Sequence, residues 1–498
     1  MQLALLLSIF IVAICGLVYE LIAGALASYV LGDTLTQFST VIGAYLFAMG
    51  IGSHLSKYVR GNLVAFFIRV EILVGLVGGA SAMLLFLAFE HMQGFRVLLY
   101  GLVGVIGILV GCELPVLMRI LKDELPFKDL VSRVFTVDYV GALLASVLFP
   151  LVLAPRLGLM RTAFLFGILN VGVALWALRL FAAKGGWTRP LAAQALVALA
   201  LLGAGFVYSD RLMSVAEAGV FPDPVVIARN TPYQRLVLTR SEDDMRLYLN
   251  GNLQFSSRDE HRYHEALVHV GLASMERRQR VLVLGGGDGL AVREVLRYPD
   301  VETVTLVDLD PEMTELFRRH EMLVRLNGAS LSDPRVRVVN ADAFQWLREG
   351  TERFDFVVVD FPDPSNFSLG KLYSTAFYQA LGARLAPGGA FVVQSTSPWV
   401  ARRSFWCVAE TMEQAGFAVL PYHANVPSFG EWGFLLGARA PMTPRTDYPA
   451  GLRFLDAGGL AGMLTFPPDM ARLPVEANRL NNQILVRYFD DEWSQYVR

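Results

Sequence analysis

Apolar positions divide the chain into two halves of different character. Before about Tyr208 they run on with few interruptions, and seven runs stand out, at about 3–31, 38–56, 63–89, 97–121, 134–154, 159–181 and 190–208. Each is near the roughly 20 residues a helix needs to cross a bilayer. The pattern predicts an α-helical transmembrane bundle of seven spans over residues 1–208. The first run has no basic leader and is too long for the apolar core of a signal peptide, so it is read as the first span.

Residues 209–224 read as a linker. Short alternating segments follow, VVIAR, QRLVLTR and MRLYLNG, set apart by Thr231-Pro232 and Asn250-Gly251. They predict a small antiparallel β domain over 225–261. From 262 to 498 strands and helices alternate. RVLVLGGG, TVTLVDLD, RVRVVNAD, FDFVVVDF and AFVVQST are nearly continuous apolar runs. Such runs mark parallel strands buried on both faces, hence a Rossmann-like α/β domain. FAVLPYHANV and EWGFLLGAR add an antiparallel pair.

Composition sharpens this division. The 498 residues are 54% hydrophobic and only 18% charged, against about a quarter charged in ordinary soluble chains. A net charge of −2 gives no nucleic-acid footprint. Cys15, Cys112 and Cys407 stand apart, and no Cys/His cluster has metal-ligand spacing. No metal and no permanently bound cofactor are expected.

Glycines recur in the spans, among them Gly75, Gly78, Gly79, Gly101, Gly104, Gly107 and Gly111, and are read as close helix packing. Glu20, Arg69, Glu71, Glu113 and Asp138 also lie in or beside the apolar runs. A charge at mid-membrane costs roughly 2.5–3.5 kcal/mol on insertion scales, so none should face lipid. Pairing with Arg69 and Arg119 would satisfy the acids, and so would a bound polycation.

The candidate chemistry lies at the strand ends. A doubly wound sheet binds its ligand beyond the carboxyl ends of the strands. Asp288 follows the first strand within Gly285-Gly286-Gly287-Asp288-Gly289, Asp308 ends the second, Asp342 the third and Asp360 the fourth, with Asp363 just beyond. The glycine loop allows close backbone approach, and Asp308 stands where an acid accepts ribose hydroxyls; together they suggest an adenosine-bearing ligand, NAD or an S-adenosyl compound, with GGGDG in place of GxGxxG lowering the dinucleotide reading. Asp342-Ala343 is placed to meet an adenine amino group. An S-adenosylmethionine carboxylate would oppose Asp288. Decarboxylated S-adenosylmethionine carries a sulfonium and an ammonium instead. A cleft with this many acids suits polycations.

From Tyr233 to Gly437 the chain resembles the spermidine synthase (polyamine aminopropyltransferase) family. The resemblance rests on Tyr233-Gln234, LNGNLQFSSRDEHRYHE, LVLGGGDG, LVDLD, Asp342-Ala343, DFPDP, LYSTAFYQAL and LAPGGAFVVQ. It implies aminopropyl transfer from decarboxylated S-adenosylmethionine, as co-substrate, to putrescine or a related polyamine. By the same resemblance Gln234, Asp308, Asp342 and Ala343 hold the donor's adenosine, and Asp288 its ammonium. Tyr263, His264, Asp288, Asp360, Asp363 and Tyr422 form the polyamine site, with Asp360 and Tyr263 catalytic. The N-terminal half resembles the multi-span region fused to some members.

Phe361-Pro362 and Phe367 depart from the family pattern beside the acceptor segment Ser365 to Lys371. Glu431 and Trp432 are read as rim residues. The expected partners are a small polyamine and the lipid bilayer, with no nucleic acid; a homo-oligomer is left open. The substrates favour a cell-membrane protein with a cytoplasmic catalytic domain. Basic loops after the second, fourth and sixth spans disagree, since they place the N-terminus inside and a seventh span would then put the catalytic half outside. The competing readings are an S-adenosylmethionine-dependent methyltransferase and a membrane polyamine transporter or sensor that keeps a regulatory transferase-like domain.

Overall fold

The structure, a computed structural model, describes residues 2–31, 34–88, 92–122, 127–181, 189–217 and 221–496. Lys184, which contributes to the basic loop after the sixth predicted span, lies outside them. The chain forms two compact units, Met1–Pro224 and Val225–Arg498.

In the first unit the long apolar runs become helices α1 (Gln2–Leu31), α2 (Thr34–Ser56), α3 (Leu63–Leu87), α4 (Met92–Leu121), α5 (Phe127–Leu148), α6 (Ala154–Leu180) and α7 (Arg189–Val207). Among the described residues, 6 helical runs are long and apolar enough to cross a membrane, and one of them, Lys128–Leu180, has 53 residues. At about 1.5 Å per residue a straight helix of that length would far exceed a hydrocarbon core of about 30 Å. The run is not regular: α5 and α6 meet through a π-helical turn at Phe149–Leu153, and Gly158 within α6 has φ 74° and ψ 167°.

The small-residue reading holds at specific contacts. A Cβ on Gly52 of α2 would lie 2.0 Å from the Ile108 carbonyl oxygen of α4, so only glycine permits that approach. Gly101 and Gly104 correct the expectation, for a Cβ there would meet nothing within 4 Å. The segment read as a linker also needs correction. Ser209–Glu217 is a helix, α8, because Leu212 and Met213 pack against the apolar core of the first unit.

The second unit begins with a four-stranded antiparallel meander, β1 (Val225–Asn230), β2 (Arg235–Arg240), β3 (Met245–Leu249) and β4 (Asn252–Ser256). Asn250 and Gly251 turn β3 into β4 with φ of 51° and 82°, as a two-residue hairpin requires.

Helix α9 (Glu260–Leu272) leads into a seven-stranded sheet. Its strands are β5 (Arg280–Gly285), β6 (Thr303–Asp308), β7 (Val336–Asn340), β8 (Phe354–Asp360), β9 (Leu385–Gln394), β10 (Ala418–Val426) and β11 (Gly430–Ala438). Their order is β10-β11-β9-β8-β5-β6-β7, with β5 to β9 parallel and the last two antiparallel. Successive residues of β5 serve opposite faces: Val281 and Val283 enter one core, Leu282 and Leu284 the other. The strand order reverses between β5 and β8, which places the ligand crevice at their carboxyl ends.

Candidate active site

The reversal point brings the glycine loop against Asp360. Gly285 and Gly286 have φ of 78° and 63°. A Cβ on Gly285 would lie 2.2 Å from the Asp360 carbonyl oxygen, and one on Gly286 would lie 3.0 Å from Asp360 Oδ2. The loop is glycine-rich because the backbone must pass this close to the carboxylate. From the other side α9 delivers Tyr263, whose hydroxyl donates to Asp360 Oδ1 at 2.6 Å. Among the described residues Asp360 Oδ2 accepts no hydrogen bond.

The other aspartates stand at or just beyond the carboxyl ends of the same parallel strands. Asp288 Oδ1 accepts the Leu290 N–H at 2.9 Å, at the start of helix α10 (Leu290–Val295). Asp308 accepts from the N–H groups of Gly287 at 3.1 Å and Asp310 at 2.8 Å. Gln234, on the turn between β1 and β2, donates to Asp310 Oδ2 at 3.0 Å, which ties the meander to the end of β6. Asp342 caps the helix Ala343–Glu349 through the Gln345 N–H at 3.0 Å and pairs with Lys371 Nζ at 2.7 Å. Asp363 holds weaker bonds, 3.4 Å each, from Gln394 and Thr396.

Burial is the main influence on these acids. It pushes Asp288 and Asp308 up to about 6 and Asp363 up to about 7. Burial also raises Asp360, while the nearby charge of His264 pulls it down. Asp342 is the exception. Burial opposes its ionisation, but Lys371 more than offsets this and its pKa is lowered. A cationic ligand entering the cleft favours the ionised form of all of them.

Several sequence expectations change here. Tyr422 leaves the acceptor set: it is 0% exposed, stacks on Phe434 and donates to the Ala266 carbonyl at 3.0 Å. His264 is also buried, with Nδ1 2.8 Å from Glu260 Oε2. Burial works against its charge, but Glu260 raises its pKa to about 9. Its charge pulls the pKa of Asp288 and Asp360 down.

Phe361 turns away from the cleft and packs on Tyr373 and Phe377, so this departure belongs to the core. Lys371, in the segment expected to flank the acceptor, pairs with Asp342, which was expected to hold the donor. Trp432 is not a rim residue. It is 8% exposed and donates to Gln394 Oε1 at 3.1 Å. Glu431 instead pairs with His423.

Sequence reading missed the supports. Glu260 grips Arg293 through two bonds of 3.0 and 2.9 Å and carries His264 on the next turn. The i, i+4 spacing of Glu260 and His264 was a usable signal. Gln394 ends β9 and joins Tyr373, Trp432 and Asp363. The rule that found the acids at strand ends would have found it too. Among the described residues no cluster could hold a metal ion.

The fold and its acid-lined crevice define a nucleoside-dependent transferase suited to cationic substrates. The comparisons make this particular: the chain belongs to the polyamine aminopropyltransferase family. Residues 260–447 match the Spermine/spermidine synthase domain. A polyamine aminopropyltransferase of Leptospira interrogans is 54% identical over 100% of both chains. Polyamine aminopropyltransferase 2 of Ralstonia nicotianae is 58% identical over 99% of each. The polyamine aminopropyltransferase of Mycobacterium tuberculosis is 38% identical over 97% of this chain and 94% of its own. The similarity therefore runs through the helical unit as well as the catalytic one.

Proposed function

We propose that the second unit transfers the aminopropyl group of decarboxylated S-adenosylmethionine to putrescine or a related polyamine and releases methylthioadenosine. The observation that carries this reading is the Tyr263–Asp360 pair at 2.6 Å beside Asp288, Asp308 and Asp363. Asp308, Gln234 and Asp342-Ala343 hold the adenosine, and Asp288 takes the donor's ammonium. Asp363 holds the acceptor. Attack on the propyl carbon next to sulfur breaks the carbon–sulfur bond, and the sulfonium leaves as a neutral thioether.

The attacking nitrogen starts as an ammonium with a pKa near that of lysine, about 10.4, so freeing its lone pair at pH 7 costs about 4.6 kcal/mol. Asp360 Oδ2, the oxygen without a protein donor, accepts that proton while Tyr263 fixes Oδ1. A methyltransferase reading is less favoured, because the ordinary donor's carboxylate would face Asp288. Incubating the full-length protein with decarboxylated S-adenosylmethionine and a panel of di- and triamines tests the reading by mass spectrometry. An amine product plus methylthioadenosine is expected. Methyl transfer from S-adenosylmethionine, or no product with any amine, overturns it.

Asp288→Asn separates the donor's two halves. Binding of decarboxylated S-adenosylmethionine should weaken by roughly 10–100-fold, the worth of a hydrogen bond to a charged group. Methylthioadenosine, which lacks the ammonium, should bind nearly as before. Equal losses in calorimetry would reduce Asp288 to a support for the loop.

The first unit, in the same proposal, crosses the cell membrane with α1 to α7. The irregular join between α5 and α6 supports counting two spans in the 53-residue run. The substrates support a cytoplasmic catalytic unit, although the basic loops weigh against that side.

A further inference from the structure

Two glutamates are buried in the helical unit, and among the described residues neither has a basic partner. Glu71 of α3 is 0% exposed and Glu113 of α4 is 3% exposed. The arginines expected to neutralise them do not. Arg119 donates instead to the carbonyls of Ser56 at 2.8 Å and Val59 at 3.0 Å. Arg69 is exposed. Burying two carboxylates costs several kcal/mol each unless something compensates.

The surroundings offer acceptors. Asn170 of α6, fully buried, donates its amide to Glu71 Oε2 at 2.9 Å. Its own Oδ1 has no partner, and neither do Glu71 Oε1, Glu113 Oε1 or the hydroxyl of Tyr19 on α1. Asn170 and Glu71 are thus in contact, and Glu71, Glu113 and Tyr19 lie within electrostatic range of one another. Pro115 sits in the same turn as Glu113 and gives the Gly111 carbonyl no N–H to accept. Three unpartnered oxygens and one hydroxyl thus lie in this buried locality, and among the described residues no cationic side chain pairs with either acid. A primary ammonium has three donors, no acceptor and a positive charge. It complements this set in both hydrogen bonding and charge.

We propose that Glu71, Glu113, Asn170 and Tyr19 form a second binding site, inside the helical bundle, for a primary alkylammonium end of a polyamine. The choice of polyamine rests on the function proposed above, since the catalytic unit then handles such cations. The site itself rests on the helical unit alone.

Equilibrium dialysis of the full-length protein in lipid nanodiscs against labelled spermidine tests it. Wild-type protein should take up two equivalents per chain at saturation, one at each site. Glu71→Gln combined with Glu113→Gln should lose one equivalent and keep its turnover. Tyr19→Phe and Asn170→Leu, which leave both acids in place, should weaken the second equivalent by roughly tenfold. In wild-type protein whose turnover shows a working catalytic site, a single equivalent would mean that protons alone neutralise the acids and would overturn the site, even if every variant misfolds. A second equivalent unchanged in variants that keep their turnover would overturn it as well. Wild-type turnover, followed in the same samples, reports separately on the catalytic reading.

Discussion

Asp360→Asn should lower turnover by roughly 10²–10⁴-fold, the usual worth of a positioned general base. The asparagine keeps the size of the side chain and can still accept the Tyr263 hydroxyl. It cannot take a proton from the attacking amine. Donor affinity should change little, because in the proposed arrangement Asp288, in the loop after β5, and Asp308, at the end of β6, hold the donor. Rapid-quench measurement of a single turnover isolates the chemical step from product release. A near-normal rate there would remove Asp360 from the mechanism. A fall in rate matched by an equal fall in donor affinity would instead point to a collapsed crevice. The close approach of Gly285 and Gly286 to this residue makes that control necessary.

The strand-end acids were legible because two periodicities coincide in the sequence. Near-continuous apolar runs locate parallel strands, and the residue that breaks each run must lie at the crevice. Asp288, Asp308, Asp342 and Asp360 all follow from that rule. Side-chain direction does not. Tyr422 sits on an alternating strand, and only the packing of β10 against α9 shows that its hydroxyl is spent on Ala266. Phe361 follows Asp360 directly, and successive strand residues point to opposite faces, which sends its ring to the core. The role of His264 was hidden for another reason. Its charge depends on Glu260, and Glu260 is anchored by Arg293, 33 residues further along the chain.

The helical unit was legible in its lengths and not in its pairings. Hydropathy marks where helices run, but a buried acid reads the same whether its partner is an arginine, a proton or a ligand. Arg119 shows the difficulty. Its place six residues beyond Glu113 in the same apolar run suggests a cation for the acid, yet its guanidinium reaches the carbonyls of Ser56, the last residue of α2, and of Val59 just beyond it. Helix ends leave carbonyls unpaired, and a nearby cation satisfies them at little cost.

Removing the charge on His264 should move the pH dependence of catalysis. Burial raises the pKa of Asp360, and His264 pulls it back; the same holds for Asp288. The base works only when ionised. Without the imidazolium both acids rise further, so the acid limb of the turnover–pH profile should shift to higher pH. Glu260→Gln removes the partner that keeps His264 charged, and His264→Gln removes the charge while leaving Glu260 paired with Arg293. The two variants should shift the limb in the same direction and recover most of their turnover at alkaline pH. A purely structural role would lower turnover at every pH without moving the limb.

Stability follows the same pair. His264 is raised from 6.5 to about 9, so its contribution is complete below about 6.5 and fades as pH rises through 9. For Glu260 burial favours the neutral form, yet His264 and Arg293 lower it from 4.5 to about 2; its contribution is complete above about 4.5 and fades as pH falls through 2. Glu260→Gln should therefore cost most between those limits, near pH 5 to 6.5, by about 3–5 kcal/mol, the usual penalty for breaking a buried pair from one side. Thermal unfolding across pH checks the window. A loss that stays constant up to pH 10 would show that the Arg293 contact, and not the charge on His264, carries the effect.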